Sequence, residues 1–355
     1  MVLTSILSAN PRRVALDVEG DSFYRFGERL CLVQLAFSGS IHVLDPLETD
    51  LGPLFSDLES RELVLHGADF DLRLLHARYG FHPSHVFDTM LAARFLNFPK
   101  FGLSDLSERF FGIVLEKKHQ RADWCSRPLS AELVDYAKRD VERLEELGDR
   151  LREELVALGR LEWHREECDA VILRTVRSAA RPADPEPWRV KGSGSLGRKE
   201  LAFLKELALA RDRMARESDR ALFRIFSAED LIRLTKLATA DPESALRKFP
   251  RGLPGAHLRE FGSAIRAAQT AQPEEWPEPP APGRRPEPRL EKRVRELTSR
   301  RDQAAASLNL EPSFLASRGA IARVAESRPR DEEELAGSLE SGWRAKILAA
   351  SFLTD

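Results

Sequence analysis

Cysteine is scarce: Cys31, Cys125 and Cys168 are the only three, odd in number, far apart and without a CxxC pair. That pattern speaks against a zinc site and a disulfide framework, and predicts free thiols in a reducing compartment. Long apolar runs are missing as well. The longest, Leu30 to Phe37, is far too short to cross a bilayer, so no membrane-spanning helix is expected. In the opening stretch MVLTSILSANPRR the arginines follow the brief apolar run instead of preceding it, which argues against a secretory signal. These absences point to the cytoplasm. The charge is nearly balanced at −2, but unevenly placed. Residues 1–180 carry 23 Lys/Arg against 30 Asp/Glu, and residues 181–355 carry 32 against 27. An acidic first half suits a carboxylate-lined metal site, and a basic second half suits a polyanion.

Three apolar, β-rich runs come first: RVALDVE (13–19), LCLVQLAF (30–37) and IHVLDPL (41–47). Short turn-rich connections separate them, as in an antiparallel meander. ELVLHG (62–67) adds a fourth run and HVFD (85–88) a fifth, with a helical pattern between them that carries Leu72, Leu74, Leu75 and Tyr79. Helices are expected from Thr89 to Leu96, Leu103 to Phe111 and Ser130 to about Leu158. Strands first, then strands alternating with helices, predict a mixed sheet flanked by helices. A Pro/Gly/Ser-rich linker at 181–197 and a proline-rich one at 271–289 divide the rest. The expected organisation is therefore an α/β domain over 1–180 and two all-α modules over 198–270 and 290–355.

The two helical modules resemble each other at a constant offset of 90. Leu207 matches Leu297, Arg211-Asp212 matches Arg301-Asp302, Ser227 matches Ser317, and Leu231 matches Ile321. An ungapped offset with a shared Arg-Asp reads as a diverged duplication.

The acidic residues carry the chemistry. Asp17 and Glu19 lie two apart on a strand, so their side chains share a face. Two neighbouring carboxylates on an otherwise apolar strand repel unless a cation lies between them, or unless the strand is already emerging into solvent. Asp71 opens a helix after a buried run, the usual place for a functional group beyond the end of a sheet. Helix N-capping is its other reading, and Asp69 is then an equal candidate. Tyr136 and Asp140, four apart on a helix, share one face. An amphipathic surface pair would look the same.

ALDVE, HGADFDLRLL and DYAKRD, in that order, resemble the three exonuclease motifs of the ribonuclease D-like DEDD superfamily. The tyrosine of Yx₃D marks the tyrosine subtype; the other subtype has a histidine at the position occupied here by Asp135. FDTMLAARFL and RADWCSRPLS narrow the resemblance to ribonuclease D, and LALARDRMARESDRALFRIFSAEDLIRL and GWRAKIL are similar to its C-terminal HRDC-type modules. The resemblance implies a ribonuclease H-like, DnaQ-like exonuclease fold followed by two HRDC-like domains. It implies metal-dependent 3′-to-5′ removal of 5′-mononucleotides from RNA, with transfer-RNA precursors or other structured RNA as substrate.

Carried onto this chain, the metal ligands are Asp17, Glu19, Asp71 and Asp140, and Tyr136 orients the attacking water. Hard oxygen donors without Cys or His suit two Mg²⁺ or Mn²⁺ ions. Asp17 would bridge the two, Glu19 and Asp140 would complete one site, and Asp71 would hold the second ion mainly through water. Candidate substrate contacts are His66, Lys117, Lys118, Arg121 and Trp124, although a structural histidine and an internally packed tryptophan are the plainer readings. Arg211, Arg213, Arg216 and Arg220 are candidate phosphate contacts, Asp88 reads as a helix cap and Asp45 as a turn residue. The alternatives are a DNA exonuclease of the same superfamily and a non-catalytic nucleic-acid-binding scaffold.

Overall fold

The computed structural model describes residues 6, 8–116, 118–179, 186–247, 255–279 and 287–353. Five strands, β1 (Arg13–Asp21), β2 (Arg29–Phe37), β3 (Ser40–Leu44), β4 (Glu62–Leu65) and β5 (His85–Asp88), form one sheet in the order β3-β2-β1-β4-β5. β2 and β3 are antiparallel, with Val33 opposite Leu44 and Phe37 opposite Ser40. β4 runs parallel to both β1 and β5. The sheet is therefore mixed, as the pattern of elements predicts. β1 is central, and Val14, Ala15 and Leu16 are fully buried, because a central strand is covered on both faces.

Helices Asp69–Tyr79, Thr89–Phe95 and Leu103–Phe111 lie close to expectation, and a further helix, Gly52–Leu58, was not foreseen. The long helix expected from 130 to 158 is instead two, Ala131–Glu142 and Leu144–Ala157, broken at Arg143 with φ −113° and ψ 7°. The first packs near β3 and the second on β4, and one straight helix cannot face both. The second approaches so closely that a Cβ on Gly148 would meet Val64 Cγ1 at 3.1 Å. Helix Leu161–Ala179 completes this set.

The chain divides into two compact units. One holds Met1–Gly20, Leu30–Arg181 and Arg285–Asp355; the other holds Asp21–Arg29 and Pro182–Arg284. The C-terminal helical block thus groups with the sheet. Its Phe314 and Trp343 rings lie 4.8 and 5.1 Å from Phe95, and Trp343 stacks on Trp163 at 5.6 Å. A helix face packed on a neighbouring layer has the same sequence period as one packed within its own bundle, so the grouping was not readable beforehand.

The offset of 90 recurs in three dimensions. Ser227 and Ser317 each accept the backbone N–H three residues on, from Asp230 and Ala320. Arg211 Nη1 donates to the Phe226 carbonyl at 3.4 Å, and Arg301 Nη1 to the Ala316 carbonyl at 2.6 Å. Arg211 is accordingly buried, 5% exposed, so it serves the fold and is withdrawn as a phosphate contact.

The cysteine expectation also fails. Cys31 and Cys125 form a disulfide across 94 positions, with Cα atoms 5.1 Å apart, and only Cys168 is free. The segment after Gly112 folds back over β2, a proximity no local spacing encodes. Among the described residues, no helix is long and apolar enough to cross a membrane.

Candidate active site

Strand β1 and helix Ala131–Glu142 build the core of the site. Asp17 and Glu19 project from one face of β1, and Tyr136 and Asp140 are one turn apart on the helix. One carboxylate oxygen from each of Asp17, Glu19 and Asp140 lies within 4.8 Å of the other two. Residues 123 positions apart in sequence thus converge on a shared point. Tyr136, Asp17 and Asp140 line one cavity together with His66, Gly102, Ser104, Glu116 and Gln120.

Asp71 enters from helix Asp69–Tyr79 and is buried, 4% exposed. It lies outside the close triad, but its carboxyl feels the charge of Asp17, with the Val18 backbone acting in the opposite direction. Asp69 instead turns outward to pair with Arg73 at 3.3 Å. Neither is a helix cap, because that position belongs to Ala68. Burial and orientation therefore separate two residues that local position alone left open, on the side of the Asp71 that the resemblance favours.

The electrostatics are those of a site short of positive charge. Burial, and then the neighbouring Asp140, hold Asp17 well above the usual carboxylate range. Burial, then Asp17, Asp140 and Asp71, push Glu19 up to about 10. Burial raises Asp140 to about 7, and burial with Asp17 and Asp88 raises Asp71. Tyr136 is raised by burial first, then by Asp140, Glu19 and Asp17, while a hydrogen bond from Gln120 acts the other way. Carboxylates so placed favour either protons or a cation between them. All four carboxylates offer only oxygen donors, which would fit a hard divalent ion.

Asp88 is the scaffold of this corner. Buried at 2% exposure, it accepts from Met90 N (2.8 Å) and Leu91 N (3.2 Å), capping helix Thr89–Phe95. It also accepts from Gly67 N (3.0 Å) and Ala68 N (2.8 Å), which fixes the turn leading to Asp71. Gly67 has φ +79°, a left-handed conformation that glycine adopts without strain. His66 Nδ1 lies 2.9 Å from Thr89 Oγ1, and that hydroxyl donates to Leu65 O at 3.0 Å. The threonine proton being spent, Nδ1–H must be the donor, which leaves Nε2 as an acceptor. Burial lowers the His66 pKa, consistent with a neutral ring.

The segment after Gly112 supplies one wall. Trp124, 1% exposed, packs 5.9 Å from the Tyr136 ring and is closed to any base, so it is withdrawn as a substrate contact. His119 meets Tyr136 edge-on at 5.6 Å. Lys118 is exposed and paired with Glu132 at 2.8 Å. Arg121 is exposed, and Lys117 lies outside the described residues. Arg127 anchors the wall through Asp45, at 2.5 and 2.9 Å, and through Cys31 O at 2.7 Å. Asp45 is thus structural, and the Arg127 guanidinium holds its carboxyl below the ordinary range. Sequence reasoning overlooked Gln120, Glu116 and Ser104. No period marks them; only their position just ahead of the DW-RPL stretch or beside Gly102 hinted at the cavity.

A family model described as 3′-5′ exonuclease matches residues 3–156, which contain all five predicted catalytic residues. A ribonuclease D of Acidiphilium cryptum is 30% identical over 292 residues, covering 79% of this chain and 73% of that protein. The chain belongs to the ribonuclease D family. A second relative, the ribonuclease D of Cronobacter turicensis, is 29% identical over 362 residues, 97% of this chain and 94% of that protein. The crystal structure of Escherichia coli RNase D, described as an exoribonuclease involved in structured RNA processing, superposes with a TM-score of 0.74. It is 26% identical and covers 99% of this chain and 95% of its own. As a ribonuclease D of the DEDD type, the protein is a 3′-to-5′ exoribonuclease with the ribonuclease H-like fold and C-terminal helical modules expected of it. Its acidic cluster is compatible with the divalent metals that such chemistry uses.

Proposed function

We propose that this ribonuclease D releases 5′-mononucleotides one at a time from RNA 3′ ends, using Asp17, Glu19, Asp71 and Asp140 to hold two Mg²⁺ or Mn²⁺ ions. The observation that carries this reading is the half-buried triad Asp17, Glu19 and Asp140, with one carboxylate oxygen of each within 4.8 Å of the other two and every carboxyl raised in pKa, first of all by removal from water. Asp17, Glu19 and Asp140 would hold one ion between them, and Asp71, buried beside Asp17, would help to hold the second. When bound, the ions acidify the attacking water and neutralise charge on the leaving 3′ oxygen. Tyr136 would orient that water with its hydroxyl, which its raised pKa keeps protonated. His66 offers Nε2 as an acceptor for a substrate hydroxyl. The substrates are transfer-RNA precursors or other structured RNAs with free 3′ ends, which places the working enzyme in the cytoplasm. The cysteines no longer argue for that compartment.

Parallel assays on 3′-tailed RNA and DNA oligonucleotides, with Mg²⁺, Mn²⁺ or EDTA, test this reading. Expected is metal-dependent nucleotide release from RNA, lost in Asp17→Asn and Asp140→Asn variants that remain folded by circular dichroism. Full activity in either variant refutes the site assignment. Equal rates on DNA favour the DNA-exonuclease alternative, and binding without release favours a scaffold.

A further inference from the structure

The segment Asp21–Arg29, DSFYRFGER, has no part in the acidic site, yet three of its nine residues are aromatic. It belongs to the compact unit formed with residues Pro182–Arg284. Asp21 holds it in shape by accepting from Phe23 N at 2.9 Å and Tyr24 N at 2.7 Å. Asp219 ties it to the helical module through Phe26 N at 3.3 Å and Arg29 at 3.1 Å. On this frame Phe23 meets Phe223 edge-on, with centroids 6.4 Å apart. Both rings are nevertheless open to solvent, 41% and 52% exposed. The Arg224 guanidinium lies 4.2 Å from the Tyr24 centroid and 5.9 Å from that of Phe223, and its Nε donates to Phe23 O. Arg216 covers Phe26 at 4.5 Å.

Rings interleaved with planar cations suit unpaired nucleobases. Every base has a π-face to stack on a ring, and the exposed Arg224 beside the rings can meet a linking phosphate. Chain connectivity favours the same ligand. Phe23 follows Glu19 by only four residues in the sequence. We infer that Phe23 and Phe223, with Arg224 beside them, form a stacking platform for single-stranded RNA upstream of the 3′ end. The inference rests on the exonuclease reading above. Stacking is indifferent to base identity, so such a platform holds the strand whichever nucleotide arrives after each removal.

The test uses the full chain in EDTA, where binding is read without hydrolysis. The probe is an unstructured 12-nucleotide RNA with a single 2-aminopurine moved stepwise from the 3′ end. Its fluorescence should be quenched at one or two positions, and that quenching should vanish in Phe23→Leu and Phe223→Leu. Leucine keeps the apolar bulk but removes the stacking face, and each variant should bind about tenfold more weakly. Absence of quenching at every position in the parent protein overturns the inference. So does parental affinity in the Phe23→Leu/Phe223→Leu double variant with unchanged melting. Loss of self-association in that variant, with RNA binding intact, assigns the patch to a protein partner and overturns it too. Failure of metal-dependent nucleotide release in the parent would instead sink the exonuclease reading, and the binding assay does not depend on it.

Discussion

Replacing Glu19 by glutamine should make the metal-free protein more stable while removing its activity. The Glu19 carboxyl sits at about 10 in the fold, against an ordinary value of 4.5. Below the ordinary value both the folded and unfolded chains are protonated, and the group is neutral to stability. Between 4.5 and 10 the unfolded chain gives up the proton while the folded chain keeps it, so folding is opposed increasingly as pH rises. At about 1.4 kcal/mol per pH unit, the penalty is roughly 3 kcal/mol at pH 7 and under about 1 kcal/mol at pH 5. Glutamine has the same shape and no proton to exchange, so it removes the penalty. Urea unfolding in EDTA at both pH values measures the difference. The variant should gain at pH 7, gain little at pH 5, and lose the stabilisation that Mg²⁺ gives the parent. Equal or lower stability of the variant at pH 7 in EDTA refutes the argument that burial, and then the neighbouring carboxylates, oppose the charge on Glu19 in the fold. A gain confirms that stability is given up at this site for function.

Asp88→Asn should destabilise by roughly 3 kcal/mol and slow nucleotide release. Four backbone N–H groups share the Asp88 carboxylate, and an amide accepts at only one of its two atoms. Urea melts and release assays read both effects, and an unchanged midpoint would deny the scaffold role. Glu167 gives a pH test in the opposite direction from Glu19. Burial pushes its carboxyl up, but Arg344 at 2.5 Å, Trp343 Nε1 at 3.3 Å and Arg174 outweigh burial and hold it below 4.5. Its contribution is present above the ordinary glutamate value and lost as pH falls through the depressed one, so the parent should lose stability over that acid range. Glu167→Ala, which strands Arg344, should cost roughly 3 kcal/mol at pH 7 and flatten the acid limb of the pH–stability curve.

The sequence by itself determined the strands, whose apolar runs 13–19, 30–37, 41–47, 62–67 and 85–88 each contain most or all of one strand of the sheet, because the apolar pattern of a buried strand is a local property. It also determined which acidic residues to examine: Asp17 and Glu19 share a face by the strand period, and Tyr136 and Asp140 by the helical one. Tertiary structure decided what local periodicity cannot carry. It set Asp71 inward and Asp69 outward, joined Cys31 to Cys125 across 94 residues, and broke the helix at Arg143 to serve two surfaces. It buried Arg211 and Trp124, whose types alone had suggested nucleic-acid contacts. Side-chain chemistry is written residue by residue, whereas distance between remote residues exists only once the chain has closed on itself.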